Sequence, residues 1–242
     1  MQLAPRAVAL VPAAGRGLRM GSGTPKQFLS LGGLPVLVHS LRVLELSTAV
    51  TAVVLAVPDA DREFCAKEIV SRHGFAKVTV IVAGGEQRQD SVRLGLAAID
   101  RAVDLVLIHD AVRPFFTPEL VERVIAKAAE HGAAVIAIPM RDTVKRAGAD
   151  RMIETTVDRS RLWLAQTPQA FRRALLDEAH RKARMEGFQA TDDAQLVERL
   201  GHRVAIVEGT GENIKITRPE DLVIGEAILA AWKGRDTTSI HE

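Results

Sequence analysis

Residues 7–27 read Ala-Val-Ala-Leu-Val-Pro-Ala-Ala-Gly-Arg-Gly-Leu-Arg-Met-Gly-Ser-Gly-Thr-Pro-Lys-Gln, an apolar run that leads directly into a loop rich in glycine and positive charge. The loop, residues 15–26, holds four glycines, two arginines and one lysine. Glycines allow backbone N–H groups to approach phosphate oxygens, and the cations supply the charge that a triphosphate needs. The segment therefore predicts a strand followed by a polyphosphate-binding loop; the alternative is a solvated, glycine-rich surface turn.

The spacing within this loop disfavours two common nucleotide-binding motifs. A dinucleotide fingerprint needs a third glycine where Met20 stands, and an acidic residue about twenty positions further on. A Walker A loop needs Gly-Lys followed by Ser or Thr, whereas Lys26 follows Pro25 and precedes Gln27. Neither an NAD-dependent oxidoreductase nor a P-loop NTPase fits this pattern.

Short apolar runs alternate with longer amphipathic stretches up to Pro139. We predict strands at 7–13, 51–57, 78–82, 104–109 and 133–139, and helices at 36–46, 61–72, 90–99 and 118–131. This order predicts the α/β class, as a Rossmann-like three-layer sandwich with a mostly parallel (mixed) twisted sheet. Because sites in such sheets lie beyond the carboxyl ends of the strands, segments 15–26, 84–91 and 110–114 should converge on one crevice.

The second half of the chain departs from this rhythm. Residues 141–164 are rich in alternating charge, which predicts a protruding β-hairpin arm with its turn at residues 147–150. Helices at about 170–186, 192–200 and 218–232 and a strand at 203–208 complete the prediction. We expect one domain over residues 1–235, including the arm, and a flexible tail over 236–242.

Composition narrows the function classes further. The formal net charge is +2, and the chain of 242 residues has seven Phe, two Trp and no Tyr, which argues against nucleic acid as a partner. Cys65 is the only cysteine, so no internal disulfide can form and we expect a cytoplasmic protein. No apolar stretch approaches the length of a membrane span, so no membrane association is expected.

Two further clusters carry chemistry. The double glycine at 84–85 predicts a turn, followed by a helix whose N-terminus is capped by Asp90 or Ser91. This segment either forms one wall of a nucleobase pocket or is an ordinary capped turn. Asp110 follows the apolar run 105–108 and can coordinate Mg²⁺ that also bridges phosphate oxygens. The alternative for Asp110 is a structural ion pair with Arg113.

The loop resembles that of the nucleotidyltransferases, which carry Ala-Ala-Gly-x-Gly-x-Arg-Met followed by Pro-Lys-Gln; residues 13–20 and 25–27 match it throughout. Further motifs extend the resemblance nearly end to end. They are Arg-Asp-Thr at 141–143, Thr-Val-Asp-Arg-Ser-Arg-Leu-Trp at 156–163, Gln-Thr-Pro-Gln at 166–169 and Asn-Ile-Lys-Ile-Thr-Arg-Pro-Glu-Asp-Leu at 213–222. Together they resemble the 2-C-methyl-D-erythritol 4-phosphate cytidylyltransferase family.

The resemblance implies an activity and an assembly. Members transfer CMP from CTP to methylerythritol phosphate and release pyrophosphate, in the non-mevalonate route to isoprenoids. The family is implied to be Mg²⁺-dependent and homodimeric, with an arm from each subunit closing the partner's site.

It also implies roles for individual residues. The implied catalytic residues are Arg19, Lys26, Arg159 and Lys215. The implied CTP contacts are Pro12, Ala13, Ala14, Gly15, Gly17, Gly85, Glu86, Ser91, Asp110 and Ala111. The implied acceptor contacts are Asp110, Arg113, Thr143, Arg159, Thr191 and Lys215, and Asp110 is the implied metal ligand.

Two rival functions remain open at this point. A ribitol 5-phosphate cytidylyltransferase shares the glycine loop and the Thr-Pro-Gln motif, but the stretch at 156–163 favours the methylerythritol phosphate family. A non-catalytic nucleotide-sensing module has no need of Lys26, Asp110, Arg159 and Lys215, all of which are present.

Overall fold

A central sheet with helices on both faces organises the chain, and the computed structural model describes residues 4–15 and 25–234. Strands β1 to β11 span Ala7–Pro12, Ser30–Leu31, Leu34–Pro35, Val50–Val57, Val78–Ala83, Leu105–Ile108, Ala133–Pro139, Val144–Ala147, Ile153–Val157, Trp163–Arg172 and Ala205–Glu208. Helices α1 to α7 span Val36–Leu46, Arg62–Phe64, Arg88–Ala97, Pro118–His131, Arg173–Met185, Asp193–Glu198 and Pro219–Lys233. Helix α2 continues as a π-helical segment over Cys65–Ser71.

The large sheet has seven strands in the order β11-β7-β10-β6-β1-β4-β5. Strand β10 runs antiparallel to both of its neighbours, and the other pairings are parallel. Parallel strands covered on both faces are expected to be apolar at almost every position, as β1 and β6 are. The sheet is therefore mixed but mostly parallel, as predicted.

Side chains that alternate along β1 divide the core into two layers. Ala9 and Val11 pack in a cluster with α1 and α4, whereas Val8 and Leu10 pack in a cluster with α3, α5 and α6. The contact of α3 with β1 is tight, because a Cβ at Gly95 would lie 2.2 Å from a methyl group of Leu10. The prediction of a three-layer α/β sandwich is confirmed.

A third apolar cluster fixes the segment after β11. Ile216 is fully buried and packs with residues of α7 and with Phe115. Its backbone N–H donates to the carbonyl of Val112 at 2.8 Å. This contact places Lys215 beside the loop that follows β6.

The predicted β-hairpin arm is confirmed. Strands β8 and β9 form their own two-stranded antiparallel sheet, and the N–H of Met140 donates to the carbonyl of Leu162 at 2.9 Å at its base. The turn lies at residues 148–151, one residue later than predicted, because Ala147 still belongs to β8; Arg151 in this turn has a φ of 64°.

Strand β10 is the main element that the sequence analysis lacked. Its middle residues, Gln166, Thr167 and Gln169, are polar and yet buried, so they do not resemble a core strand in sequence. The helix predicted from about residue 170 begins only at Arg173, because Ala170 and Phe171 belong to this strand.

Some predictions fall outside the described residues. They concern Gly17, Arg19 and the tail at 236–242, and the single domain over 1–235 also stays a prediction. Within the described ranges, no helix combines the length and the apolar character needed to cross a bilayer.

Candidate functional site

The loops that follow β1, β5 and β6 meet at one pocket of about 220 Å³. The predicted site residues that line it are Pro12, Ala13, Ala14, Gly15, Lys26, Gly85, Glu86, Ser91, Asp110, Ala111 and Lys215. A Cβ at Gly84 would lie 2.3 Å from the Cβ of Ala14, so only glycine allows these two loops to approach so closely. The described residues of segments 15–26, 84–91 and 110–114 therefore converge beyond the carboxyl ends of the strands, as expected.

Helix α3 begins two residues earlier than predicted. It starts at Arg88, and Gln87 occupies the N-cap position, so the prediction of Asp90 or Ser91 as the cap is wrong. The buried hydroxyl of Ser91 instead accepts from the N–H of Gly85 at 3.1 Å and donates to the carbonyl of Gln87 at 3.1 Å. Ser91 therefore fixes the double-glycine turn from inside the helix.

Asp110 is the electrostatic centre of the pocket. Its Oδ1 accepts from Nε of Arg88 at 2.9 Å, and its Oδ2 lies 2.7 Å from Nζ of Lys215 and 3.6 Å from Nε of Arg113. Burial by itself would raise the pKa of Asp110, but the three cations outweigh it and hold that pKa well below the usual range for aspartate. The carboxylate is therefore ionised, and the surplus of positive charge suits an anionic ligand.

A chain of hydrogen bonds holds Asp110 from behind. Its backbone N–H donates to Oγ1 of Thr167 at 3.0 Å, which in turn contacts Nδ1 of His109 at 3.2 Å. Nε2 of His109 faces the carbonyl of Arg113 at 2.9 Å, so this nitrogen carries the proton and Nδ1 accepts from the threonine hydroxyl. Burial lowers the pKa of His109 to about 3, so the ring is neutral and its role is structural.

Asn213 ties the Asn-Ile-Lys motif to β10. It is fully buried, and its Nδ2 donates to the carbonyl of Thr167 at 2.9 Å, while its own carbonyl accepts from Arg113 at 2.8 Å. Arg113 is thus held by Asn213 and by Asp110. The ion pair between Asp110 and Arg113, considered as the alternative role for Asp110, exists, but it is one of three contacts that Asp110 makes with cations.

Arg88 is a site residue that the sequence analysis missed. It lines the pocket and bridges two carboxylates, Asp110 and the buried Asp193, whose Oδ2 lies 2.6 Å from Nη1. The sequence did contain an indication of this role. A cation in the first turn of a helix is unfavourable next to the positive end of the helix dipole, so an anionic partner is expected nearby. The identity of that partner, 105 residues further along the chain, was not deducible from the pattern.

Three other predicted residues, Thr143, Arg159 and Thr191, are not in the lining of this pocket. Thr143 and Arg159 are exposed on the arm, where the guanidinium of Arg159 donates to the carbonyl of Arg141. Thr191 is exposed, and its N–H donates to the side chain of Gln195 at 2.8 Å. The structure of this single chain does not bring these three residues to Asp110.

A larger groove of about 1080 Å³ lies between α3 and α5. Arginines at positions 93, 101, 173, 181 and 184 line it, and none of the predicted site residues does. The size of a cavity therefore does not identify the candidate site, whereas the buried carboxylate of Asp110 and the cations around it do.

The fold and this pocket define a phosphate-binding α/β protein of the nucleotidyltransferase class. The family model for 2-C-methyl-D-erythritol 4-phosphate cytidylyltransferase matches residues 7–231. The enzyme of that name from Pelotomaculum thermopropionicum is 50% identical over 230 residues, covering 95% of this chain and 97% of the relative. The one from Syntrophus aciditrophicus is 48% identical over 231 residues, covering 96% of this chain and 99% of the relative.

Solved structures agree with the sequence relatives. The crystal structure of 4-diphosphocytidyl-2C-methyl-D-erythritol synthase from Anaerococcus prevotii superposes with a TM-score of 0.81 at 32% identity, covering 94% of this chain and 99% of that one. The chain belongs to the 2-C-methyl-D-erythritol 4-phosphate cytidylyltransferase family.

Proposed function

We infer that this chain transfers the cytidylyl group of CTP to 2-C-methyl-D-erythritol 4-phosphate, with release of pyrophosphate, as a step of isoprenoid biosynthesis. Membership of the family carries this conclusion. The pocket supports it with chemistry, because Lys26, Lys215 and Arg88 line the same pocket as the carboxylate of Asp110, beside a loop of small residues. Such a surplus of positive charge suits a triphosphate and a phosphate monoester together.

The roles within the pocket follow from where charge develops. When an oxygen of the acceptor phosphate attacks the α-phosphorus, negative charge builds on the α-phosphate oxygens and on the departing pyrophosphate. Lys26 stabilises the α-phosphate, and Arg19, outside the described residues, is assigned to the pyrophosphate. A phosphate monoester is largely dianionic near neutral pH, since its second pKa is about 6, so the attack needs no general base.

Lys215 and Asp110 act on the acceptor side. The ammonium of Lys215, held 2.7 Å from the carboxylate, is placed to attract the 4-phosphate and aim it in line. The proposal also assigns Arg113, Thr143, Arg159 and Thr191 to the acceptor. Gly85, Glu86 and Ser91 would bind the cytosine side of CTP.

Asp110 is proposed as the protein ligand of Mg²⁺. Among the residues that the structure describes, no group of three or more acidic, histidine or cysteine side chains forms a metal cage. One carboxylate is sufficient, since Mg²⁺ commonly takes one or two carboxylates and completes its shell with phosphate oxygens and water. When bound, the ion would neutralise charge on the triphosphate.

The first test compares acceptors. Purified protein with CTP and Mg²⁺ is expected to release pyrophosphate at least about 10²-fold faster with methylerythritol phosphate than with ribitol 5-phosphate. The measurement is a coupled pyrophosphate assay, with UTP, ATP and GTP as controls for the base. Turnover with ribitol 5-phosphate alone would show that the proposed acceptor is wrong.

We propose further that the arm completes the site of a second copy in a homodimer. The hairpin of β8 and β9 pairs with no other strand of the described chain, and an isolated two-stranded hairpin is marginally stable in water. It also exposes large apolar side chains: Met152 and Ile153 are 68% and 65% exposed. A partner that covers them would bring Arg159, absent from the pocket of its own chain, to the partner's pocket.

Mixed dimers test this exchange. Arg159→Ala and Lys215→Ala are each expected to be nearly inactive, but co-refolding them at equal amounts should restore about a quarter of wild-type activity. Half of the dimers are then mixed, and each mixed dimer holds one intact site of two. A monomer by analytical ultracentrifugation, or no recovery on mixing, would contradict the exchange. The cytoplasmic location stays a prediction.

A further inference from the structure

A continuous chain of polar side chains leads from the pocket into the layer formed by α3, α5 and α6. From Asp110 it passes to Arg88 at 2.9 Å, then to Asp193 at 2.6 Å, and ends at Nε2 of His180, which lies 3.0 Å from Asp193. Asp193 and His180 are 1% and 3% exposed. The four residues belong to four separate elements: the loop after β6, α3, α6 and α5.

Arg88 uses its planar fork to join the two carboxylates. Nε donates to Oδ1 of Asp110, and Nη1 donates to Oδ2 of Asp193, so the guanidinium is fixed at two points. A lysine has a single charged atom and lacks this planar fork, so it does not reproduce the two-point geometry. Each side of the arginine therefore has a defined partner.

The contact of Arg88 with Oδ1 determines what the other oxygen can do. Because Oδ1 is occupied from the α3 side, Oδ2 faces Lys215 at 2.7 Å. If the guanidinium moved, the carboxylate could rotate, and the ammonium that receives the acceptor phosphate would lose its fixed position. Asp193 prevents this movement by holding the second arm of the fork.

The charge balance also requires Asp193. Without it, one buried carboxylate would face three cations, and an unbalanced buried charge is costly. Burial by itself would raise the pKa of Asp193, but Arg88 and His180 outweigh that effect and lower it, so the group is ionised. His180 donates from Nε2 to this carboxylate and fixes its orientation.

We propose that Arg88 and Asp193 are positioning residues for cytidylyl transfer, which act through Asp110 to aim Lys215, and that His180 orients Asp193 from behind. This inference rests on the function proposed above. Arg88 and Asp193 need not touch the substrate, since Asp193 acts on Arg88 and Arg88 acts on Asp110.

The main test is Asp193→Asn, which keeps the shape of the side chain and removes its charge. We expect kcat to fall at least about tenfold, with the KM for CTP within about threefold of wild type, because positioning is lost while the nucleotide pocket stays. Asp177→Asn is the matched control: Asp177 also pairs with an arginine, Arg173, at 3.1 Å, but outside this chain of contacts. Its kcat should equal that of wild type.

Two further variants separate positioning from simple stability. Arg88→Lys should also lower kcat, and adding Asp193→Asn to it should cost little more, because both changes interrupt the same path. His180→Gln keeps a side-chain donor for Asp193 and should retain most of the activity, whereas His180→Leu should not. Additive losses in the double variant, or equal losses in the two His180 variants, would overturn the proposal.

A crystal structure of Asp193→Asn gives a readout that needs no turnover. We expect Nζ of Lys215 to lie more than about 4 Å from Asp110, beyond contact distance. An unchanged contact together with a lower kcat would overturn the route through Asp110, and so would a lost contact with unchanged kcat. If the wild-type protein does not use methylerythritol phosphate, the proposed function fails, while the distance still decides whether Asp193 positions Lys215.

Discussion

Lys26→Ala is expected to lower kcat for cytidylyl transfer by about 10³-fold, since a fixed cation at the reacting phosphate stabilises charge that develops only in the transition state. Lys26 lines the pocket beside Gly15, whose missing Cβ would lie 3.8 Å from Cε of the lysine. The free energy of unfolding should change by less than about 1 kcal/mol, because the side chain is half-buried in a short turn and not in the core. Steady-state kinetics and urea unfolding measure the two effects.

Lys67→Ala is the matched control for this change. Lys67 is exposed and pairs with Glu63 at 2.7 Å on the surface, far from the glycine loop in sequence and outside the pocket lining. Its removal should leave kcat unchanged. Activity of Lys26→Ala within about threefold of wild type would show that the lysine charge is not used in the rate-limiting step.

Most of the fold could be predicted from the sequence because most helices and strands follow simple hydrophobic periodicities. The predicted bounds of α1, α4 and β7 coincide with those observed, since each is an uninterrupted apolar or amphipathic run with a clear end. Strand β10 was missed because buried polar residues occupy its centre. Their hydrogen bonds to Asn213, Asp110 and Asp192 explain why polar groups are tolerated there, and these partners are distant in sequence.

The site was predictable only in part for a related reason. Glycines, lysines and an aspartate that follow strands indicate a phosphate pocket, and the predictions of the family and of the activity are confirmed. The pairing of Arg88 with Asp193 depends on how α3 and α6 pack on the sheet, which no local pattern encodes. The roles of the individual site residues, the metal, the dimer and the cytoplasmic location remain predictions.

Asp110→Asn should reduce both activity and stability. The change leaves three cations around a neutral amide, and removing one partner of a buried ion pair costs roughly 3 kcal/mol. Because Lys215 loses its anchor as well, we expect kcat to fall by about 10³-fold. Asp104→Asn, which removes an exposed pair with Arg172, is the control and should cost less than about 1 kcal/mol.

The dependence of this stability difference on pH identifies its electrostatic origin. The cations hold the pKa of Asp110 below its usual value, so the folded protein binds fewer protons at this site than the unfolded chain does. Its stabilisation is therefore complete above the unfolded pKa of about 3.9 and is lost as the pH falls below that value. The unfolding free energies of wild type and Asp110→Asn should differ by a constant amount from pH 7 to pH 5, and should converge below about pH 4 by at most roughly 1.4 kcal/mol per pH unit. A difference that widens as the pH falls from 7 to 5 would mean that burial dominates and that the three cations do not control this carboxylate, because a carboxyl group with a raised folded pKa stabilises the fold more at lower pH.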